Sequence, residues 1–280
     1  MNVLETRVQT EGPSGGRWRF YAIGDLHLDK KTSDHARARK LIAAIAADPA
    51  SLWVLVGDVI DGTTPDHRFF QASSIRQDAL AAMDEYYDHM IQQAAEILAP
   101  LKGTNGFIIE GNHDTRGGLR WGGFAAHLAR ELGVLYGGGE ALVRATTAGT
   151  GTHNGHCVWI VHAQHGAGGG MYPGAKVNRF QNTATLTADA DVYVRGHVHD
   201  SDCRIVPRYT ITSRGAVRLQ ERPVAYLTAP ALCRNRVQGV VEYPGQKGLP
   251  ANDEGLIWLE MSNPMPGGHG RRMRRIEADF

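Results

Sequence analysis

Short apolar runs alternate with amphipathic stretches along the chain up to about residue 200. Five of these runs are rich in strand-forming residues, and a polar cluster follows each of them at once. The runs are Phe20–Ile23, Leu52–Val56, Phe107–Ile109, Val158–Val161 and Val192–Val194. Ligands of open α/β sheets bind outside the carboxyl ends of the strands, so we expect the five polar clusters to face one crevice.

Helical periodicity fills the segments between these runs. It predicts a helix over Asp34–Ala47 with Ser33 as its N-cap, and a long amphipathic helix over Ser73–Leu98. Two further helices are predicted over Leu119–Leu132 and Asn178–Leu186. This alternation of strand and helix is typical of βαβ units, in which helices cover a sheet.

The helical period disappears beyond Asp200. The sequence predicts four strands there, separated by Pro, Gly and Asn: Tyr209–Thr212, Val224–Leu227, Val237–Tyr243 and Gly255–Met261. We therefore expect the second half of the chain to form a second sheet. Residues 1–16 contain a glycine-rich stretch and are expected to be a flexible N-terminal segment.

Length and composition narrow the class of protein. At 280 residues the chain is long enough for one large α/β domain. Its three cysteines are odd in number and form no Cys-x-x-Cys pair, so the sequence indicates neither a disulfide framework nor a thiolate zinc site. No apolar stretch reaches the roughly 18 residues that a membrane span needs. We expect a soluble, cytoplasmic protein without a membrane partner.

The net charge of +1 hides a basic C-terminal third. Residues 204–280 carry 12 Lys and Arg against 7 Asp and Glu. This excess includes a run near the C-terminus that consists of Arg271, Arg272, Arg274 and Arg275. A basic run favours either a nucleic-acid partner or a solvated tail, and the sequence leaves both interpretations open.

Two of the polar clusters place ligands two residues apart. Asp25 and His27 are separated by one leucine, and side chains at i and i+2 leave a strand on one face, so both can reach one ion. His197 and His199 are also two residues apart, and each can bind a different ion if the turn points their imidazoles in different directions. Gly196 gives the backbone the freedom for that turn.

The other clusters supply a bridging carboxylate, an amide and a further imidazole. Asp58 has two carboxylate oxygens and can bridge two cations about 4 Å apart. Asn112 adds a neutral carbonyl oxygen. His162 directly follows its strand, and we favour it as a ligand over His165, three residues later. A donor set of oxygen and imidazole nitrogen suits Mn, Fe, Zn and related divalent ions.

The ordered clusters resemble the calcineurin-like metallophosphoesterase superfamily over about Tyr21–Asp200. The resemblance implies an α/β fold of the two-sheet α/β/β/α sandwich type. Residues 17–204 would form the metallophosphoesterase core. Residues 205–280 would add second-sheet strands and a C-terminal extension to the same domain.

The resemblance also implies two divalent metal ions, Mn, Fe, Zn, Co or Ni, and a role for each polar residue. One ion would be held by Asp25, His27, Asp58 and His199, and the other by Asp58, Asn112, His162 and His197. His113 would be the catalytic histidine that donates a proton or hydrogen bond to the leaving oxygen. Asp114 would orient the ring of His113, and Asp61 would hold the ligand residues in place without binding a metal itself.

A glycine-rich segment follows the fourth cluster and resembles a bacterial and phage branch of the superfamily. It runs from His165 to Gly170 and is followed by Lys176, Asn178 and Arg179. Glycines let backbone N–H groups approach a phosphate closely. His165, Lys176 and Arg179 are therefore candidate substrate contacts, the last two through phosphate oxygens. A purely structural loop is the alternative.

The function that the resemblance implies is hydrolysis of a phosphate ester, the expected substrate. Two cations would bind the ester, lower the pKa of a coordinated water and direct the hydroxide in line at phosphorus. Many members with this complete motif set are phosphodiesterases, so the resemblance favours a phosphodiesterase. The alternatives are a metal-dependent nuclease acting on DNA or RNA, and a catalytically silent scaffold with the same fold. The presence of His113 and of all seven ligands favours an enzyme.

Overall fold

The computed structural model contains two six-stranded sheets packed face to face. It describes residues 1–11, 16–68, 70–116, 123–147, 157–166, 178, 180–182, 184, 186–211, 219–234, 237, 240, 256–263 and 271–278. None of the helices within these ranges combines the length and apolar composition needed to cross a bilayer.

The strands and helices follow one another in a mixed order. The strands are β1 Asn2–Val8, β2 Arg17–Ile23, β3 Ser51–Leu55, β4 Gly106–Ile108, β5 Leu135–Tyr136, β6 Glu140–Thr147, β7 Cys157–Gln164, β8 Val192–Arg195, β9 Asp202–Ile211, β10 Leu219–Thr228, β11 Leu256–Ser262 and β12 Arg272–Ala278. The α-helices are α1 His35–Ala46, α2 Gln77–Ala81, α3 Tyr86–Leu98 and α4 Phe124–Leu132. Short 3-10 helices lie at Ala72–Ser74, Met83–Glu85 and Ala99–Leu101. The described residues within 178–187 are also helical.

Parallel pairing brings the carboxyl ends of the central strands to one edge. One sheet has the order β12-β11-β2-β3-β4-β5, and β2, β3, β4 and β5 are parallel to one another. The other sheet has the order β1-β6-β7-β8-β10-β9, with β7, β8 and β10 parallel. The polar residues that follow these strands therefore emerge at a common edge of each sheet.

The central strands are apolar on both faces because both faces are buried. In β2, Trp18 and Phe20 belong to the core between the sheets, whereas Tyr21 and Ile23 belong to the core beneath the helices. This explains why the strands appear in the sequence as continuous apolar runs rather than as alternating patterns. Burial of each large apolar side chain stabilises the fold by about 1.5–3 kcal/mol.

Helices cover the outer faces of the two sheets. Residues of α1, α3 and α4 form one core with the outer face of β2, β3 and β4. On the opposite side, Phe180 and Ala184 pack against Tyr193 and Tyr226 of the other sheet. The layers are therefore helix, sheet, sheet and helix, and the predicted α/β/β/α sandwich is confirmed.

The two ends of the chain differ from the expectation. Residues 2–8 were expected to be flexible, but they form β1, which pairs in parallel with β6 and buries Val8. The segment 205–280 contributes strands as expected, although not to one sheet alone. The hairpin of β9 and β10 extends the second sheet, whereas β11 pairs with β2 and extends the first.

The predicted helix over Ser73–Leu98 is wrong as one continuous element. The chain is extended at Ile75 and Arg76, because Ile75 forms a β-bridge with Lys30 and the N–H of Arg76 donates to the carbonyl of Asp29. The N-cap of α1 is Asp34, not Ser33. Parts of several other predictions, among them Leu119–Gly122 and most of Val237–Tyr243, lie outside the described residues, and Val237 and Val240 are not in a strand.

Candidate metal centre

Three adjacent parallel strands deliver the first group of ligands. Asp25 and His27 follow β2, Asp58 follows β3, and Asn112 follows β4. The loops after β2 and β3 are joined directly, because the N–H groups of Leu26 and His27 both donate to the carbonyl of Asp58, over 3.0 and 3.1 Å. Asp25 and Asp58 are both buried, at 1% exposure each.

The other sheet delivers the remaining imidazoles. His197 and His199 follow β8, and His165 follows β7, which pairs in parallel with β8. The N–H of His197 donates to Oδ2 of Asp25 over 3.0 Å, so the edges of the two sheets meet at this point. Asp25 and His197, 172 positions apart in the chain, thus line one buried space.

Asp58 belongs to two separate groups of metal-binding atoms. Ligand atoms of Asp25, His27 and Asp58 lie within 4.8 Å of one another, and so do those of Asp58, His165 and His197. Oδ2 of Asp58 is 3.0 Å from Nε2 of His165. Two neighbouring donor groups that share one carboxylate fit two divalent cations bridged by that carboxylate.

Asn112 and His199 complete the two donor groups. Oδ1 of Asn112 lies 3.0 Å from Nε2 of His165, which places the amide oxygen beside the second group. Nε2 of His199 lies 3.0 Å from Oδ2 of Asp25, beside the first group. The other ring nitrogen of His199 faces Cys233, whose Sγ is 3.8 Å from Nδ1.

His162 is not among the residues that meet here, and His165 takes its place. β7 continues to Gln164, so His162 lies inside the strand, paired with Leu142 and Tyr193 on its two sides. Its Nε2 lies 2.8 Å from Oε1 of Glu140, and its side chain is fully buried. The structure therefore replaces His162 by His165 in the candidate ligand set.

His113 is held by Asp61 rather than by Asp114. Nδ1 of His113 is 2.8 Å from Oδ1 of Asp61. The carboxylate of Asp114 instead accepts hydrogen bonds from the N–H groups of Val59 and Gly111, both over 2.9 Å. The expectation that Asp114 orients the ring of His113 is therefore wrong, and Asp61 has that contact.

Four residues of the site have strained backbone conformations. Within the described ranges, the non-glycine residues with positive φ are His27, Asp58, His197 and His199, with values of 43°, 50°, 70° and 54°. Non-glycine residues rarely adopt this left-handed region, and such strain is typical of functional sites. The backbone after each of these strands turns sharply enough to direct the side chains into the buried space.

Charge and burial shift the pKa values of the clustered groups in opposite directions. Burial alone would raise the pKa of Asp58, but the hydrogen bond and charge of His165 hold that pKa well below its usual range. Burial opposes the charged form of His165 as well, yet Asp58 and Asp25 raise the pKa of this imidazole to about 9. Burial lowers the pKa of His27 to about 3, with His113 adding to the effect.

Several residues near the site were not identified from the sequence. Nη2 of Arg116 is 3.0 Å from Nε2 of His113, and Nζ of Lys30 is 3.4 Å from Oδ2 of Asp61. Cys233 lies 34 residues beyond His199, outside every motif. Arg116 could have been identified from the sequence by its closeness to the third cluster, because it follows Asp114 by two residues. No sequence feature indicated that Cys233 lies near the site.

An open cleft of about 440 Å³ borders the second donor group. Its lining includes Asn112, Thr115, Gln164 and His165. His165, expected as a substrate contact, thus belongs to the second donor group and also lines the cleft. Lys176 and Arg179, the other two expected contacts, lie outside the described residues.

A family model described as calcineurin-like phosphoesterase matches residues 19–201. No curated protein matches the chain. Among solved structures, the chain is similar to Vps29 of Chaetomium thermophilum, with 10% sequence identity and a TM-score of 0.35, over 93% of this chain and 97% of that one.

Proposed function

The chain belongs to the calcineurin-like phosphoesterase family, whose model matches residues 19–201, and from this premise we propose that it is a dinuclear metal-dependent phosphodiesterase. The observation that supports two cations is the place of Asp58 in both groups of metal-binding atoms. The family match includes the strands and loops that carry these groups.

The residues present fit a pair of divalent cations. One would be held by Asp25, His27, Asp58 and His199, and the other by Asp58, Asn112, His165 and His197. When bound, two such cations neutralise charge on a phosphate ester and activate water for in-line displacement at phosphorus. The buried carboxylates and imidazoles hold the donor atoms in place and exclude bulk water from them.

His113 acts on the leaving group in this proposal. Its Nδ1 lies 2.8 Å from Oδ1 of Asp61, and its Nε2, 3.8 Å from Oδ2 of Asp58, accepts a hydrogen bond from Nη2 of Arg116 over 3.0 Å. In this proposal, the bound phosphate takes over that hydrogen bond of Arg116, whose positive charge lies where the phosphate would bind. Nε2 is then available to the leaving group, and an imidazole protonated at this atom can give its proton to the departing alkoxide oxygen.

The position of the basic run argues against a nuclease that would bind a nucleic-acid strand along this run. Arg272 is in register with Ser262, and Ser262 with Arg17, the first residue of β2. The run therefore begins at the end of β2 that lies away from Asp25, and β2 itself is roughly 20 Å long at the rise of a strand. Arg271 is also engaged with Asp191, over 3.0 Å. A small phosphodiester, which suits a cleft of about 440 Å³, is favoured.

Hydrolysis of bis-p-nitrophenyl phosphate with added Mn²⁺ tests the proposal. We expect turnover by the wild-type protein and a loss of about 10²–10⁴-fold in His113→Ala, the usual contribution of a general acid. His127→Ala, which changes a half-buried histidine on α4, is the matched control and should keep wild-type turnover. p-Nitrophenyl phosphate, a monoester, should be hydrolysed more slowly than the diester.

Three results would lead away from the proposal. Absence of turnover with every divalent cation supplied would favour a scaffold without catalysis. Preference for the monoester would assign a phosphomonoesterase. Hydrolysis of single-stranded DNA that falls steeply with added salt, with salt-independent turnover of the chromogenic diester, would favour a nuclease. The bacterial and phage branch and a cytoplasmic location stay predictions from the sequence.

A further inference from the structure

We propose that Asp29 is a positioning residue, which holds the backbone of Asp61 in place and thereby orients His113 for proton transfer to the leaving group. The inference rests on the role of His113 in the proposed function. It adds a buried side chain, two residues beyond His27, that belongs to neither donor group.

Both carboxylate oxygens of Asp29 accept short hydrogen bonds inside the protein. The side chain is fully buried. Its Oδ1 accepts from the backbone N–H of Asp61 over 2.6 Å, and its Oδ2 accepts from the hydroxyl of Tyr86, also over 2.6 Å. Burial of a carboxylate is costly unless its oxygens are hydrogen-bonded, so both donors have to stay in place. Asp29 therefore connects the loop after β3 to Tyr86.

Tyr86 anchors this connection in the helical layer. It is the first residue of α3, and its side chain lies at 3% exposure in the core that the helices form with the first sheet. Its ring also packs edge-on against that of Tyr87, with the ring centroids 5.3 Å apart. Side chains in a closely packed core keep well-defined positions. The carboxylate of Asp29 is thus attached to a well-packed helix.

Asp61 contacts His113 through its main chain as well as through its carboxylate. Nδ1 of His113 lies 2.8 Å from Oδ1 and 3.2 Å from the carbonyl oxygen of Asp61. The same carbonyl oxygen accepts a hydrogen bond from Nη1 of Arg116 over 3.1 Å. A shift in the backbone of Asp61 would therefore displace both the imidazole and the guanidinium.

The carboxylate of Asp61 has partners of its own, which do not hold the backbone N–H. Its Oδ2 accepts a hydrogen bond from the hydroxyl of Thr63 over 2.8 Å and lies 3.4 Å from Nζ of Lys30. The N–H of Asp61, in contrast, donates to Asp29. Removal of the Asp29 side chain should therefore release the main chain of Asp61 and leave the contacts of its carboxylate in place.

Two substitutions of Asp29 test this role in the full-length protein with added Mn²⁺. In Asp29→Ala, we expect kcat for bis-p-nitrophenyl phosphate to fall by about 10–100-fold with little change in KM, the scale on which outer partners of a site act. Asp29→Asn should restore most of the activity. Its amide oxygen can accept from the N–H of Asp61, and its NH₂ group can donate to the hydroxyl of Tyr86, which is also an acceptor.

A second variant and a matched control accompany these two. Tyr86→Phe removes one hydrogen bond and keeps the ring in the core, so kcat should fall by about 2–10-fold, and this variant replaces Asp29→Ala if the latter fails to fold. Asp191→Ala is the control, because Asp191 is also a buried aspartate that accepts from a backbone N–H, that of Ile160. It precedes β8, at the end of that strand away from His197, and should lose stability without losing kcat.

The leaving group distinguishes positioning of His113 from a general structural role. Proton donation matters more for a basic leaving group than for an acidic one. We therefore expect Asp29→Ala and Tyr86→Phe to lose more kcat on diphenyl phosphate, which releases phenol, than on bis-p-nitrophenyl phosphate. A purely structural role would lower kcat on both esters by the same factor.

NMR of the histidine rings gives a readout that does not need turnover. The Cε1–H resonance of His113, identified by its absence in His113→Ala, should shift in Asp29→Ala and keep its wild-type position in Asp29→Asn and Asp191→Ala. An unshifted resonance in folded Asp29→Ala would overturn the inference. An equal loss of kcat on both esters, or an Asp29→Asn variant as impaired as Asp29→Ala, would also overturn it and leave the proposed function intact. Absence of turnover in the wild-type protein would instead overturn the proposed function, and the resonance would still show whether Asp29 positions the ring.

Discussion

Nδ1 of His113 lies 2.8 Å from Oδ1 of Asp61, although the two residues are 52 positions apart and His113 has another aspartate as its neighbour in the chain. The geometry of the turn explains this choice. The side chain of Asp114 points back into the protein and binds backbone N–H groups, whereas the loop after β3 brings Asp61 to the ring. Asp61 therefore positions His113.

Asp61→Asn should lower kcat by about 10–100-fold with little change in KM, because the amide contacts the ring of His113 more weakly than the carboxylate and fixes its orientation less well. Steady-state kinetics measures the separate effects on kcat and KM. Asp88→Asn, at an exposed position in the first turn of α3, is the control and should keep the wild-type kcat.

Asp114→Asn should instead affect folding. Burial and the nearby charge of Asp58 raise the pKa of Asp114 to about 7, and its oxygens accept from backbone N–H groups on two loops. An amide side chain presents a donor to one of these N–H groups, so we expect a loss of about 1–3 kcal/mol in the free energy of unfolding. Urea denaturation measures it. A variant of wild-type stability that had lost only kcat would return the orienting role to Asp114.

The sequence predicted that most of these polar residues lie close together, because they follow strands that are easily recognised. Asp25, His27, Asp58 and Asn112 come after uninterrupted apolar runs, and parallel strands necessarily bring their ends together. The rule failed at β7, where the polar residue His162 was interpreted as the end of the strand. Its ring is accommodated inside the sheet by Glu140, so the strand ends three residues later, before His165.

Other features depend on contacts that no local pattern contains. The interruption at Ile75 arises from pairing with the loop after β2, which overrides the helical period of the surrounding residues. β1 is formed by a polar segment with only its inner positions covered, so its apolar signal is weak. Cys233 reaches the ligands through a β-bridge to Ser33, 200 positions away. Long-range pairing of this kind cannot be inferred from one sequence.

The exchange of His162 for His165 is testable with a matched pair of variants. His165→Gln should retain about half of the wild-type metal content after reconstitution, because it removes a ligand of one cation only. His162→Gln should retain all of it, since Nε2 of His162 contacts Glu140 and not the donor groups. Elemental analysis after gel filtration measures both. Loss of metal in His162→Gln, with full metal in His165→Gln, would restore the original expectation.

The apoprotein should become less stable as the pH rises from about 6.5 to about 9. Asp58 and Asp25 raise the folded-state pKa of His165 from 6.5 to about 9. The folded protein therefore binds the proton of His165 more tightly than the unfolded chain does. This stabilisation of the fold is fully present below a pH of 6.5 and is lost as the pH rises through about 9. The contribution of this group is about 3 kcal/mol at most.

Urea denaturation of chelator-treated protein across this pH range measures the loss. His165→Gln should show a flatter dependence, because the titrating imidazole is gone. Addition of Zn²⁺ to the wild-type protein should have the same effect, since the cation replaces the proton on the ring. An equal slope in wild-type apoprotein and His165→Gln would show that His165 does not carry the titration.

Gly111 lies in close contact with Asp58. A Cβ added to Gly111 would lie 2.1 Å from the backbone nitrogen and 2.2 Å from Oδ1 of Asp58, so the carboxylate that is proposed to bridge the cations would have to move. Gly111→Ala should therefore weaken binding of both cations at once and lower the free energy of unfolding by about 1–3 kcal/mol, the usual cost of overpacking.

Gly139→Ala is the control, because a Cβ there would have no neighbour within 4 Å. Calorimetric titration with Zn²⁺ should show weakened binding at both positions in Gly111→Ala and unchanged binding in Gly139→Ala. Weakening at a single position would indicate that Asp58 serves one cation alone, and the shared carboxylate on which the dinuclear centre depends would be lost.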